Sequence, residues 1–209
     1  VTQAAHAFQL AQGFVCLQQV GILSPENRAT LVTQAAHAYH LAEGVVCLQQ
    51  EGILTQANFV ALVAQAAHAN VLVQALQHLQ EADILRQVNF DALFAQAAHA
   101  FQLAQSFVCL QQVGILMPEN RAILVAQAAH ANVLVQALQH LQEADILRQV
   151  NFDALADQAA HAGELAFGFK RLQQAKILTE ENFSVLVQLT IQLQRSTVIP
   201  VVTRSMVLL

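Results

Sequence analysis

Gln3-Ala4-Ala5-His6 returns as Gln34-Ala35-Ala36-His37, Gln65-Ala66-Ala67-His68, Gln96-Ala97-Ala98-His99, Gln127-Ala128-Ala129-His130 and Gln158-Ala159-Ala160-His161, each time after 31 residues. A fixed period of this length marks stacked supersecondary units and decides the fold class before any finer reading. Outward from these histidines the period sets units at residues 1–31, 32–62, 63–93, 94–124, 125–155 and 156–186. The third and fifth units are identical, and the first and fourth differ at a few positions. Residues 187–209 begin in register, but Gln192 stands where His belongs, and Pro200 with Val201-Val202 breaks the pattern. They are expected to form a C-terminal cap or tail.

Each unit reads as two helices. Thr55, or Ser24-Pro25-Glu26 and Met117-Pro118-Glu119 in their units, supplies start signals: a capping hydroxyl, Pro at the first helical position, an acid in the first turn. The first helix is expected from about Gln56 to Ala69, with Asn58, Leu62, Gln65 and Ala69 on one stripe. The second is expected to begin at Asn70 as N-cap. Its apolar stripe is Leu72, Leu76 and Leu79, with Gln74, Gln77 and Glu81 opposite. Gly21, Gly52 and Gly114 suit the left-handed position that ends a helix, and the Ile-Leu that follows in every unit should plug the junction to the next. A helix pair of this size cannot bury its stripe alone, and stacking neighbours does so. The predicted fold is all-α: an α-solenoid of six tandem helix-turn-helix repeats.

Composition narrows the function classes. The chain of 209 residues is 56% hydrophobic and 11% charged, with net charge -5, which argues against disorder. Its nine Lys and Arg are scattered, whereas nucleic-acid binding needs clustered cations. Polar residues interrupt every apolar run, so no membrane-spanning stretch is expected. No secretory signal or initiator Met opens the chain, which starts mid-repeat and is expected to be a fragment or a processed product. Cys16, Cys47 and Cys109 hold equivalent places, about 8–10 Å apart if one helix-packing distance separates neighbouring units. That exceeds the reach of a disulfide. They are read as reduced thiols of the cytoplasm or another reducing compartment, a host cytosol included.

The residues that could carry chemistry read better as structure. A row of histidines one repeat apart cannot converge on one ion. His6, His37, His68, His99, His130 and His161 are therefore assigned to the inter-helix turns. Asn27, Asn58, Asn89, Asn120, Asn151 and Asn182, with the Gln of Gln-Ala-Ala-His, face the core and predict a side-chain hydrogen-bond ladder along the stack. His78 and Glu81, like His140 and Glu143, share a helix face that is read as solvated. The cysteines lack the base and electropositive setting of a nucleophile. No phosphate loop, zinc motif or Cys-x-x-Cys is present. No catalytic residue, metal or cofactor is assigned.

Recognition is sought where near-identical units differ. The residue after His-Ala is Phe8, Tyr39, Asn70, Phe101, Asn132 and Gly163 in turn. On the second helix Val15, Val46, Gln77, Val108, Gln139 and Lys170 vary. These twelve form the candidate binding edge, with packing between repeats as the competing role of the aromatics.

Two resemblances bear on this. Ile177-Leu178-Thr179-Glu180-Glu181-Asn182-Phe183 and His68-Ala69-Asn70 resemble the helical repeats of large secreted effectors of intracellular bacteria. That resemblance covers nearly the whole chain and implies a module binding host proteins. Ser24-Pro25-Glu26-Asn27 with Ala29, and Thr55-Gln56-Ala57-Asn58 with Ala61, resemble the opening of transcription activator-like effector repeats. This one implies a DNA reader with Phe8, Tyr39, Asn70, Phe101, Asn132 and Gly163 in the reading role. The expected function is a non-enzymatic scaffold for a protein or peptide, associating with itself through its repeat ends. The alternatives are a modular nucleic-acid reader and a filament-forming array.

Overall fold

The computed structural model describes residues 7–34 and 36–206, and among them there is no strand. The chain divides into two compact units, Val1–Val108 and Cys109–Leu209, the division falling within one helix. Short first helices alternate with longer second helices. The short ones are α2 (Pro25–Thr33), α4 (Gln56–Ala64), α6 (Gln87–Ala95), α8 (Pro118–Ala126) and α10 (Gln149–Asp157). The longer ones are α1 (Ala7–Gln19), α3 (Ala38–Gln50), α5 (Ala69–Glu81), α7 (Ala100–Gln112), α9 (Ala131–Glu143) and α11 (Ala162–Gln174), and α12 (Glu180–Met206) closes the chain.

Within the first unit α1 packs along α3 and α3 along α5; within the second, α9 packs along α11. The first helices α2 and α10 lean on the second helices on either side of them, and α4 and α6 on the one before, the repeat-like packing of a solenoid-type helical fold. The second-helix stripe is fully buried, as Leu72, Leu76 and Leu79 show, while Gln74, Gln77 and Glu81 are exposed. Each such leucine contributes about 1.5–3 kcal/mol by leaving water. Phe59 and Phe90 are sealed in the first unit and Phe152 and Phe169 in the second.

Local chemistry sets the helix ends. Ser24 and Thr55 accept the backbone N–H of Asn27 and Asn58 at 3.1 Å, satisfying donors that a helix start leaves open. The second helices end in a left-handed residue. At the first, Ile22 N–H reaches back to Leu17 O at 2.9 Å and Gly21 N–H to Gln18 O at 3.0 Å, the paired bonds of a Schellman turn. Gly21, Gly52 and Gly114 hold φ of 73°, 68° and 74°. Asp83, Asp145 and Lys176 occupy the same place with φ of 55°, 57° and 59° despite their side chains.

The boundary between the two helices of a unit departs from the sequence reading. The first helix stops at Ala64, and a 3-10 turn over Ala66–His68 leads directly into α5. The same turn recurs at Ala97–His99, Ala128–His130 and Ala159–His161. Asn70 is therefore not the N-cap; His68 holds that position without a side-chain capping bond, and Asn70 accepts from Gln74 Nε2 at 3.2 Å inside the helix. Alanine favours helix, so propensity does not explain the break. Ala66 and Ala69 are buried at the bend, so the break coincides with tertiary packing. Where Leu189-Thr190-Ile191-Gln192 replaces the motif, α12 runs on for 27 residues with Pro200 inside it. The end of the sixth unit and the tail thus share one helix. No single helix among the described residues is long and apolar enough to cross a membrane.

Candidate functional site

Asn27, Asn58, Asn120 and Asn151 form rungs from one unit to the next. Asn27 Nδ2 donates to Ile22 O and to Gln56 Oε1, both at 2.7 Å, and Gln56 Nε2 returns a bond to Asn27 Oδ1 at 3.2 Å. Asn58 repeats this with Ile53 O at 2.6 Å and Gln87 at 2.7 and 3.1 Å. Asn120 repeats it with Ile115 O and Gln149, and Asn151 with Ile146 O and Glu180 Oε2 at 2.8 Å. Asn89 is buried and donates to Ile84 O at 2.6 Å, whereas the more exposed Asn182 donates to Ile177 O. The rungs at Asn27, Asn58, Asn120 and Asn151 each fasten the Ile-Leu junction of their own unit and the helix start of the next, so a buried amide is satisfied by groups on both sides.

Sequence reasoning missed the partner. The Gln of Gln-Ala-Ala-His closes the first helix through its main chain: Gln65 N–H, for instance, donates to Ala61 O at 3.2 Å, and Gln65 O accepts from His68 N–H at 2.8 Å in the 3-10 turn that follows. The rung residues are instead Gln56, Gln87, Gln149 and Glu180, whose common register in the 31-residue period was the available signal. His37, His68, His99, His130 and His161 are half-buried at the turns and bond through their backbone N–H. His6 lies outside the described residues.

A second, exposed ladder links the ends of the second helices. Gln80 Nε2 donates to Gln50 Oε1 at 3.1 Å, Gln142 to Gln112, and Gln173 to Glu143 Oε2 at 2.7 Å. His140 Nδ1 lies 3.0 Å from Gln173 Oε1 and 3.7 Å from Glu143 Oε2, so this helix face is occupied by a polar network. A small residue also recurs in the period, at Gly13, Gly44, Ala75, Ser106, Ala137 and Gly168, and Gly13 and Gly44 stand where second helices meet. A Cβ on Gly13 would stand 3.3 Å from Ala42 Cβ, and one on Gly44 would stand 2.9 Å from Leu62 Cδ2 and 3.4 Å from Val73 Cγ2. At these two positions the missing side chain lets the helices approach.

The twelve variable residues divide by position. Phe8, Tyr39, Asn70, Asn132, Val15, Gln77 and Lys170 are exposed, while Phe101, Gly163, Val46 and Gln139 are half-buried. Val108 is 8% exposed, which removes it from an exposed edge and makes it a packing residue. Phe101 packs its ring 6.0 Å from that of His78. Phe8, Val15 and Val46 come together with Ala11, Gln12, Cys16 and Gln19 around an open apolar groove of about 420 Å³ on α1.

No protein-family model, curated protein or solved structure matches this chain. The site is therefore read from its own geometry.

The three cysteines are free and buried. Burial pushes the Cys16 thiol up; it pushes Cys47 and Cys109 up to about 11, with the charges of Glu43 and Glu51 adding to the effect at Cys47. A thiol held protonated to that pH is a poor nucleophile. Among the described residues no three His, Cys, Asp or Glu side chains gather as a metal set.

Proposed function

We propose that this chain is a non-catalytic α-solenoid of six 31-residue repeats that binds an extended protein or peptide segment along the varied edge of its second helices. The observation that carries the reading is the division of labour within near-repeating units. Asn27 and Asn58 keep the same bonds to Gln56 and Gln87, while Tyr39, Asn70 and Gln77, on second helices that pack side by side, change from unit to unit and remain exposed. A constant frame with a varied outer row is how repeat proteins acquire binding specificity. Buried thiols held near pH 11 support the non-catalytic part.

The test is selection of extended peptides from a random displayed library. The triple variant Tyr39→Ala, Asn70→Ala, Gln77→Ala should weaken the best binder tenfold or more with unchanged helicity. Enriched peptides indifferent to all three would contradict the reading. So would a preference for random-sequence oligonucleotides with a steep loss of affinity in salt, the behaviour of a nucleic-acid reader.

A further inference from the structure

One varied position carries a carboxylate that no Lys or Arg of the described residues meets. In the 31-residue register Glu43 stands where the other units carry Gln12, Gln74, Gln105, Gln136 and Phe167. It lies on α3 one turn after Tyr39 and one turn before Val46, on the same outer stripe. Its side chain is 32% exposed, so the carboxylate is partly withdrawn from water. Its close neighbours are rings. His40 Nδ1 lies 3.5 Å from Glu43 Oε2, and the Tyr39 and His40 rings meet edge to face at 5.0 Å. The carboxylate pushes the Tyr39 phenol up, first by accepting its hydrogen bond and then by its charge. Arg86, the cation at the start of α6, is taken by Glu51 at 3.6 Å and Asp83 at 3.3 Å. A charge drawn out of water is stabilised by a partner of opposite sign.

We propose that Glu43, with the exposed ring of Tyr39, is the specificity site for an arginine of the bound segment, which crosses from α3 to α5. The proposal rests on the binding reading above and names what the segment must carry. A guanidinium fits the place better than an ammonium. It forks onto a carboxylate through two N–H groups and stacks its plane on an aromatic face, whereas a lysine offers a point charge. Approach of a basic segment is also favoured by a chain of net charge -5. The neighbouring helix sets the rest of the motif. A Cβ on Gly44 would stand 3.4 Å from Val73 Cγ2, so α3 and α5 meet closely beside Glu43 and its counterpart Gln74. Helices in such contact lie about 8–10 Å apart, a distance that extended chain spans in about three residues. On α5 the exposed side chains are the amides Asn70, Gln74 and Gln77, with Gln74 Nε2 donating to Asn70 Oδ1 at 3.2 Å. The segment therefore carries an uncharged polar residue about three positions from its arginine.

Peptides selected on this chain from a random displayed library should share an arginine, and selection on Glu43→Lys should return an acidic residue in its place. One selected peptide free of Tyr and Trp then serves as the probe. Replacing its arginine by citrulline, the uncharged isostere, or Glu43 by Gln should each weaken binding about tenfold or more, and both together no further than either alone, the non-additivity of a direct contact. The citrulline exchange is made in the peptide, so it leaves the fold of the chain untouched. Tyr39 is the only tyrosine in a chain without tryptophan, and its fluorescence should change when the arginine peptide binds. Peptides that bind this edge yet share no arginine, keep their affinity with citrulline, show additive losses or leave Tyr39 fluorescence unchanged would overturn the proposal and leave the binding reading standing. Failure to capture any peptide, or capture indifferent to the triple variant Tyr39→Ala, Asn70→Ala, Gln77→Ala, would overturn that reading and the proposal with it.

Discussion

Replacing Asn120 with Leu removes a rung from the compact unit Cys109–Leu209 and leaves its neighbours in place. Asn120 is 1% exposed and takes part in three hydrogen bonds: to Ile115 O and Gln149 Oε1 at 2.7 Å, and from Gln149 Nε2 at 3.0 Å. At about 1 kcal/mol net for each bond the loss is about 3 kcal/mol. Two features moderate it. Ile115 O also accepts from Met117 N–H at 2.9 Å, and Gln149 is only half-buried and keeps Asp153 at 2.7 Å. The buried leucine returns at least about 1.5 kcal/mol of transfer free energy, so the expected net cost is about 1–1.5 kcal/mol. Urea unfolding is the assay. Gln149→Met completes a double-mutant cycle, with an expected coupling of about 1–2 kcal/mol between the two sites. Asn120→Asp gives an independent check. A carboxylate cannot donate to Ile115 O, so the fold raises the pKa of the introduced acid. Its stability is then present below about pH 4, the unfolded value, and lost as pH rises through the folded value. A neutral Asn120→Leu, or additive effects of Asn120→Leu and Gln149→Met, would refute the rung as a stabilising device.

Three further outcomes follow from the same geometry. Lys176→Gly relieves a side chain held at φ 59° and should raise stability by about 1 kcal/mol, seen as a Tm increase of about 2–4 °C; an unchanged or lower Tm would contradict the strain. Gly44→Leu drives atoms into Leu62 and Val73, where a bare Cβ already stands 2.9 and 3.4 Å away, and should cost about 2–3 kcal/mol in urea unfolding. Cys47 and Cys109 are held protonated up to about 11 in the fold, above the roughly 8.5 of a free thiol; their contribution is complete below the unfolded pKa and lost as pH rises towards the folded one. The urea midpoint should fall between pH 9 and 11, less steeply in the Cys47→Ala, Cys109→Ala variant, and native thiols should react slowly with alkylating reagents at neutral pH.

Periodicity carried most of the fold. Leu72, Leu76 and Leu79 lie on the buried stripe that their spacing requires, and Gly21, Gly52 and Gly114 sit in left-handed backbone because a Schellman turn needs it. What could not be read depends on contacts between units. Ala66 and Ala69 favour helix by propensity, yet the chain turns there with both side chains buried, a tertiary preference that local propensity does not carry. Asn58 announced itself as a polar residue on an inward stripe. Its partner Gln87 stands at an outwardly ordinary helix start, 29 residues away, and only the register between stacked units brings the two together. Val108 varies like an exposed position but is covered, since variation alone does not separate a binding edge from a packing one.

The measurement that bears most directly on the central claim is the salt dependence of binding by the chain to its best selected peptide, followed by calorimetry from low to high salt. A scaffold that recognises a protein segment through Tyr39, Asn70 and Gln77, on a chain of net charge -5, should hold its affinity within about tenfold across that range and lose it when those three side chains are removed. Failure of any peptide to bind at that edge, with oligonucleotides binding instead and losing roughly a thousandfold or more as salt rises, would contradict the account.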